Sequence, residues 1–280
     1  MFGQKDIAEY YDTTTTHYQR WWGLKKHLSL HYGIWDNTTK SFKDAIKNTN
    51  RLLLEAANIA QTDKVLDAGC GVGGAAFYIH KHTNAEVTGV SLSQRQISSA
   101  QAKSRQKNVE DQVKFMVMDF TKTSFAAETF DVIWACESVC HAPDKSKFIE
   151  ESFRLLTKGG RLVMCDFFLT DEHQEDQKNW IDKWKNTWAV ESFATKAHFS
   201  DQLTQSGFQN IQSWDYTNNI RKSARRLYYS ALLGAVPSEA YNLLYPKVSR
   251  FAKNHYKCGY YQFKALNEKL WGYHMILAEK

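Results

Sequence analysis

Asp67 stands just ahead of four glycines, Gly69, Gly71, Gly73 and Gly74, in the stretch VLDAGCGVGG. The apolar residues before it read as a buried strand, and the glycines as a tight turn that opens a helix. Such a turn lets the backbone come close to a ligand. Gly69, Gly71 and Gly74 also satisfy the dinucleotide pattern G-x-G-x-x-G, which alone carries little weight. Asp67 discriminates. Its carboxylate would repel a pyrophosphate over the turn but would hold a ligand that brings an amino group. S-adenosylmethionine has a cationic methionine end and no phosphate, so the turn reads as a site for that cofactor.

A second pair of ionisable residues, Glu137 and His141, follows the apolar run 130–135. On a helix their spacing puts them on one face. Either can move a proton. Glu137 reads equally as a cofactor contact or a cap for the next helix, and His141 as a structural hydrogen bond.

Alternating strands and helices must position these groups. Residues 85–90 read as a second strand and 92–107 as its helix. A third strand, 113–118, ends at Asp119 and Phe120, suited to the edge and face of an adenine. The fourth, 130–135, ends at Cys136 and Glu137, and a helix leads to a fifth, 161–168. Residues 209–217 and 271–278 supply the sixth and seventh. This order predicts an α/β fold: a Rossmann-like, seven-stranded, mostly parallel sheet with helices on both faces. Ligands bind such sheets at the carboxyl ends of the strands, where Asp67, Ser91, Asp119 and Glu137 fall. Dinucleotide sites place an acidic residue roughly 20 positions after the first glycine. Here Ser91, Leu92 and Ser93 occupy that place, with Gln96 one turn on. Neutral groups, Ser91 or Gln96, must then hold the ribose.

These motifs, in this order, resemble the class I S-adenosylmethionine-dependent methyltransferases over residues 52–280. The resemblance implies that the turn from Asp67 to Gly74 holds the methionine end and that Asp119 and Phe120 contact adenine. It places Lys158, before Gly159 and Gly160, where proline is common, and Ser91 where many members carry an acid. The segment GVSLSQRQ (89–96) is similar to a subgroup acting on isoprenoids and lipids: tocopherol, sterol, geranyl diphosphate and cyclopropane-forming enzymes. ESVCHAPD (137–144) resembles a sterol C-methyltransferase signature. Tyr10, Tyr11 and Asp12, then Trp22 and Gly23, then His31, Tyr32 and Gly33, resemble the amino-terminal cap of the sterol and tocopherol enzymes. Tyr11 and Tyr18 read either as closing over the cofactor or as packing the cap.

A chain of 280 residues suits one domain with insertions: a cap over 1–50, a cofactor core over 51–170, a lid over 171–199, further core over 200–217 and 270–280, and a helical substrate insertion over 218–269. No run approaches the roughly 18 apolar residues of a membrane span. The first residues lack a signal-peptide core, and the five cysteines read as free thiols in a cytoplasmic protein. No metal-ligand spacing occurs, so no metal is expected. The net charge is +6, but the lysines and acids read as dispersed along the chain and no RNA-binding module is visible, which argues against nucleic acid. The run of four threonines, 13–16, reads as a cap or turn.

Substrate choice must come from the insertions. Trp180, Trp184 and Trp188 recur every four residues, on one helix face. They read as lid packing, as the wall of an apolar substrate cavity, or as both. Arg221, Lys222, Arg225 and Arg226 read as a solvated face, or as a site for an anionic substrate group or a membrane surface. The expected partner is an apolar small molecule, with peripheral membrane contact left open. Methylating an alkene leaves a carbocation on the substrate, which aromatic faces stabilise and a base must then deprotonate. Glu137 and His141 are the candidates for that base. Three readings follow: C-methylation of an isoprenoid; N- or O-methylation of a small amine, phenol or quinone-type ring; and a cyclase that keeps the cofactor as a structural part.

Overall fold

A computed structural model describes residues 2–17, 24 and 28–280. Tyr18, Trp22 and Gly23 lie outside the described residues. The strands are β1 (Lys64–Ala68), β2 (Glu86–Ser91), β3 (Val113–Val117), β4 (Phe130–Cys136), β5 (Leu156–Leu169), β6 (Gln209–Asp215) and β7 (Trp271–Glu279). They form one seven-stranded sheet in the order β3-β2-β1-β4-β5-β7-β6. β1 to β5 run parallel, and β7 enters antiparallel between β5 and β6. The expected mostly parallel sheet is therefore present, and its strand order reverses between β1 and β4, where such folds bind ligands.

Alternation along the central strands explains why they are apolar throughout. On β4, Val132 and Trp134 enter one buried cluster, and Ile133 and Ala135 the other. With helices on both faces, each successive side chain meets a core. β5 starts five residues earlier than the 161–168 expectation. Lys158, Gly159 and Gly160 are absorbed as an irregularity, where the register slips between Phe130 and Val132 and Gly159 takes φ +77°.

The helices are α1 (Gln4–His17), α2 (Phe42–Ala57), α3 (Gly74–Thr83), α4 (Gln94–Gln106), α5 (Lys145–Leu155), α6 (Trp180–Trp188), α7 (Lys196–Gln205), α8 (Arg221–Leu244) and α9 (Arg250–Asn267). α4 begins after Ser93, because the Ser93 hydroxyl accepts from the Gln96 amide and caps the helix. Between β6 and β7 the chain makes a hairpin of α8 and α9, and α9 also packs on α1 and α6. The threonine run is neither cap nor turn but the last part of α1. Thr13 and Thr14 donate their hydroxyls to the carbonyls of Glu9 and Tyr10, the back-bonding that lets threonine sit inside a helix. No helix among the described residues is long and apolar enough to cross a membrane.

Candidate active site

The turn after β1 is held from both sides. Gly69 and Cys70 donate their amides to the Val90 carbonyl at the end of β2, at 3.0 and 2.9 Å. Gly69 has φ +93°, and a Cβ there would lie 2.3 Å from the Ser138 Cβ. Gly71 has φ +53° with open space where its Cβ would be. The first glycine is thus required by the protein's own packing, and the second by the backbone's handedness.

A cavity of about 100 Å³ opens over this turn. Of the nine residues expected to hold the cofactor, eight line it: Tyr11, Asp67, Gly69, Gly71, Ser91, Leu92, Gln96 and Phe120. Asp119 does not. Its carboxylate instead accepts from the amide and hydroxyl of Thr121 and from the side chain of Gln4. The Ser91 hydroxyl donates to the Gln96 carbonyl at 2.9 Å, a neutral pair at the end of β2 that leaves the Gln96 NH2 able to meet a ribose hydroxyl.

The electrostatics fit a cationic ligand. Asp67 is buried, and its Oδ2 has no hydrogen-bond partner. Burial pushes its carboxyl up to about 7, opposed by the Ala76 amide. An ammonium group beside it would satisfy the orphaned oxygen and restore the charge. Among the described residues no lysine or arginine lines this cavity, so nothing there would neutralise a pyrophosphate. The residues present fit S-adenosylmethionine.

Glu137 lies where this cavity meets a larger one. It leaves β4 at φ +52°, in the left-handed region. Its Oε1 accepts from the Tyr32 amide at 2.6 Å and from the Tyr273 hydroxyl at 2.7 Å. Burial raises the carboxyl well above the usual range, although both hydrogen bonds lower it. His141 ends a single 3-10 turn, Val139–His141, so the two residues do not share an α-helical face, though both line the cofactor cavity. The His141 Nε2 lies 2.8 Å from the Tyr11 hydroxyl. Burial pulls its imidazole down to about 3, so the ring is neutral at ordinary pH and a weak base. Beneath that turn, Asp166 accepts from the Cys140 amide, and the Lys145 ammonium donates to the carbonyls of Cys140, Ala142 and Ser192.

The larger cavity, about 640 Å³, lies between α1, α8 and α9 and shares Leu30, Glu137 and Trp188 with the first. Leu227, Ala231 and Gly234 of α8 form one wall, and Cys258, Gly259 and Gln262 of α9 another. The three indoles divide. Trp188 lines both cavities, with His141 edge-on at 4.9 Å. Trp184 is wholly buried against Phe167, Phe193 and Trp271. Trp180 faces Tyr260 and Tyr261 and donates to Glu268. Only Trp188 is therefore a cavity residue; β5 and β7 claim Trp184, and α9 claims Trp180. Arg225 is also corrected: it is exposed, on the side of α8 away from the cavity. The arginine that does line this cavity is Arg95, which donates to the Asp12 carbonyl.

Several residues at the site escaped the sequence reading. Tyr273, which holds Glu137, sits mid-strand on β7 and carries no local motif. Tyr32 belongs to a segment singled out only by resemblance, and its hydroxyl donates to Gln262 of α9 at 2.5 Å. Ser138 donates to the Ala68 carbonyl and fills the space that a side chain at position 69 would need.

Comparison with known proteins adds to this geometry. A family model described as a methyltransferase domain matches residues 59–225. The sterol 24-C-methyltransferase ERG6 of Saccharomyces cerevisiae is 34% identical over 167 residues, which is 60% of this chain and 42% of the yeast protein. The chain thus spans less than half the length of that relative. The [4+2]-cyclase SpnF superposes with a TM-score of 0.83 at 20% identity, over 99% of this chain and 96% of that one. Geranyl diphosphate C-methyltransferase from Streptomyces coelicolor A3(2) superposes with a TM-score of 0.76 at 18% identity, over 99% and 97%. At such identities the two structures show a shared fold, which extends through the α8–α9 hairpin.

Proposed function

Since the chain belongs to the class I S-adenosylmethionine-dependent methyltransferases, we propose that it methylates an alkene carbon of an isoprenoid, with Glu137 as the base. The observation that carries this reading is the place of Glu137, in the wall shared by a cation-accepting cavity and a large cavity lined mainly by apolar and aromatic residues. Likeness to a sterol 24-C-methyltransferase supports the same class of substrate.

When bound, S-adenosylmethionine supplies an activated methyl group. Asp67 would hold its ammonium, Ser91 and Gln96 its ribose, and Phe120 its adenine. The chain's remaining work lies on the substrate side. Leu30 and Trp188 exclude water from the junction, and the indole face stabilises positive charge that develops on the substrate. That charge also favours the Glu137 carboxylate over the neutral acid, so the base is created where it is needed. Tyr32 and Tyr273 fix one carboxylate oxygen and leave the other for the substrate proton. His141, neutral and bonded to Tyr11, positions α1 over the cofactor cavity. Among the described residues lining the large cavity, Arg95 is the sole lysine or arginine, which favours an uncharged isoprenoid over a prenyl diphosphate. We assign the protein to the cytoplasm, a reading that its five free cysteines support.

The test is turnover of methyl-labelled S-adenosylmethionine with an unsaturated sterol, a terpene alcohol, geranyl diphosphate and a cell extract in separate reactions. Label in an organic product stable to mild acid and base is the expected result. Label only in a cationic aqueous product from cell extract would replace the reading with N-methylation. Substrate consumed without S-adenosylhomocysteine would replace it with a cyclase.

A further inference from the structure

The net positive charge of this protein arises in one hairpin. Residues 221–267, which form α8, α9 and their connection, hold nine lysines and arginines against a single acid, Glu239. All other residues together hold 27 basic and 29 acidic side chains, a net charge of −2. The hairpin therefore accounts for more than the whole net charge of the chain.

Among the described residues, the same hairpin carries the most exposed large apolar side chains. Along the outer face of α8, positions recur at intervals of three and four. Its first turns present Lys222, Arg225 and Arg226. The stripe then continues through Leu233, Val236, Leu243 and Leu244, exposed by 73%, 80%, 84% and 75%. Leu227, Ala231 and Gly234, on the other side, line the large cavity. One helix thus has a cavity on its inner face and, on its outer face, apolar side chains in water beside a row of cations.

We propose that the outer face of α8 seats the protein on an anionic lipid surface, without crossing it. A face of this composition lies in the interface, with leucine and valine among the acyl chains and lysine and arginine among the phosphates. A second copy is the poorer occupant, because it would oppose two surfaces of like charge. An acidic protein would answer the cations but leave the four apolar side chains unaccounted for. The seat also sets a lipid-soluble ligand one helix away from the cavity. It does not rest on the methylation chemistry, and it can be measured without turnover.

The experiment is flotation of the full chain with vesicles of phosphatidylcholine alone, or of phosphatidylcholine and phosphatidylglycerol in equal amounts. The protein should float with the anionic vesicles and stay behind with the neutral ones, and raising the salt should cut partition about tenfold. The double variant Leu233→Glu, Val236→Glu should bind at least about tenfold more weakly, with its affinity for S-adenosylhomocysteine retained as proof of folding. Failure to float with anionic vesicles, equal flotation with neutral ones, or indifference to the double substitution would each overturn the proposal. So would a concentration-dependent dimer that the double variant abolishes, which would give the face to a second copy.

Discussion

The glycine turn after β1 is shaped by backbone, whereas the larger cavity beyond it is shaped by side chains. At Gly69 and Gly71 the chain takes positive φ, and at Gly69 a methyl group has no room. Few residue types meet that demand. Across the shared wall, Leu227, Ala231, Gly234 and Cys258 fill a surface that other small or apolar residues could also fill. In the proposed reading the first region would hold an invariant part of a cofactor with hydrogen bonds, and the second would surround a ligand that offers few polar handles. Sequence specificity is therefore high in one and low in the other, for the same reason that the chemistry differs.

Substitutions on either side of the wall can break this contrast. The largest effect belongs to the wall itself: Glu137→Gln should lower kcat by about 10²–10⁴ while S-adenosylhomocysteine binds, by calorimetry, about as before. A comparable loss of cofactor affinity would move Glu137 from the substrate side to the cofactor side. The tryptophans come next. Trp184→Ala should cost about 3–5 kcal/mol of stability in denaturant unfolding, and Trp180→Ala under about 1 kcal/mol, because its indole is partly exposed. Trp188→Ala should act mainly on KM. Equal costs at 180 and 184 would mean that α6 packs differently.

Asp67 sharpens the other side. In the empty protein its carboxyl titrates near 7, and the ammonium it would receive needs the charged form. Affinity for S-adenosylhomocysteine should be flat above that pH and fall by up to about tenfold per pH unit below it, with proton release on binding. Asp67→Asn should weaken binding about 10- to 100-fold and abolish the pH dependence. The smallest effect is at Tyr273. Its hydroxyl lowers the raised pKa of Glu137, so Tyr273→Phe should shift the acidic limb of the pH–rate profile to higher pH. An unmoved limb would remove Glu137 from the proton transfer.

The legible part of the molecule follows that division. The sheet was readable because both-sided burial forces unbroken apolar strands, and the cradle because glycine and an unpaired acid are costly outside a purpose. Asp119 stands outside the cavity lining because its carboxylate serves the Thr121 turn and α1, which no local spacing reveals. Spacing could put Trp180, Trp184 and Trp188 on one face, but α6 packs on α9 and the sheet at an angle that a helical repeat does not encode. Arg225 is two positions from Leu227, the first cavity residue of α8, yet the helix turns it away. Tyr273 and Glu137 are 136 residues apart, and their pairing exists only once β7 has inserted between β5 and β6.

Glu137 also bears on the stability of the fold. A glutamate held at φ +52° gives up about 1 kcal/mol relative to a residue without Cβ. At ordinary positions alanine is the more stabilising choice over glycine, by about 0.5–1 kcal/mol. Here the ranking should invert, with Glu137→Gly melting above Glu137→Ala. The inversion, read as a difference in melting temperature, would show that the backbone at this position is held against the preference of any residue with a Cβ.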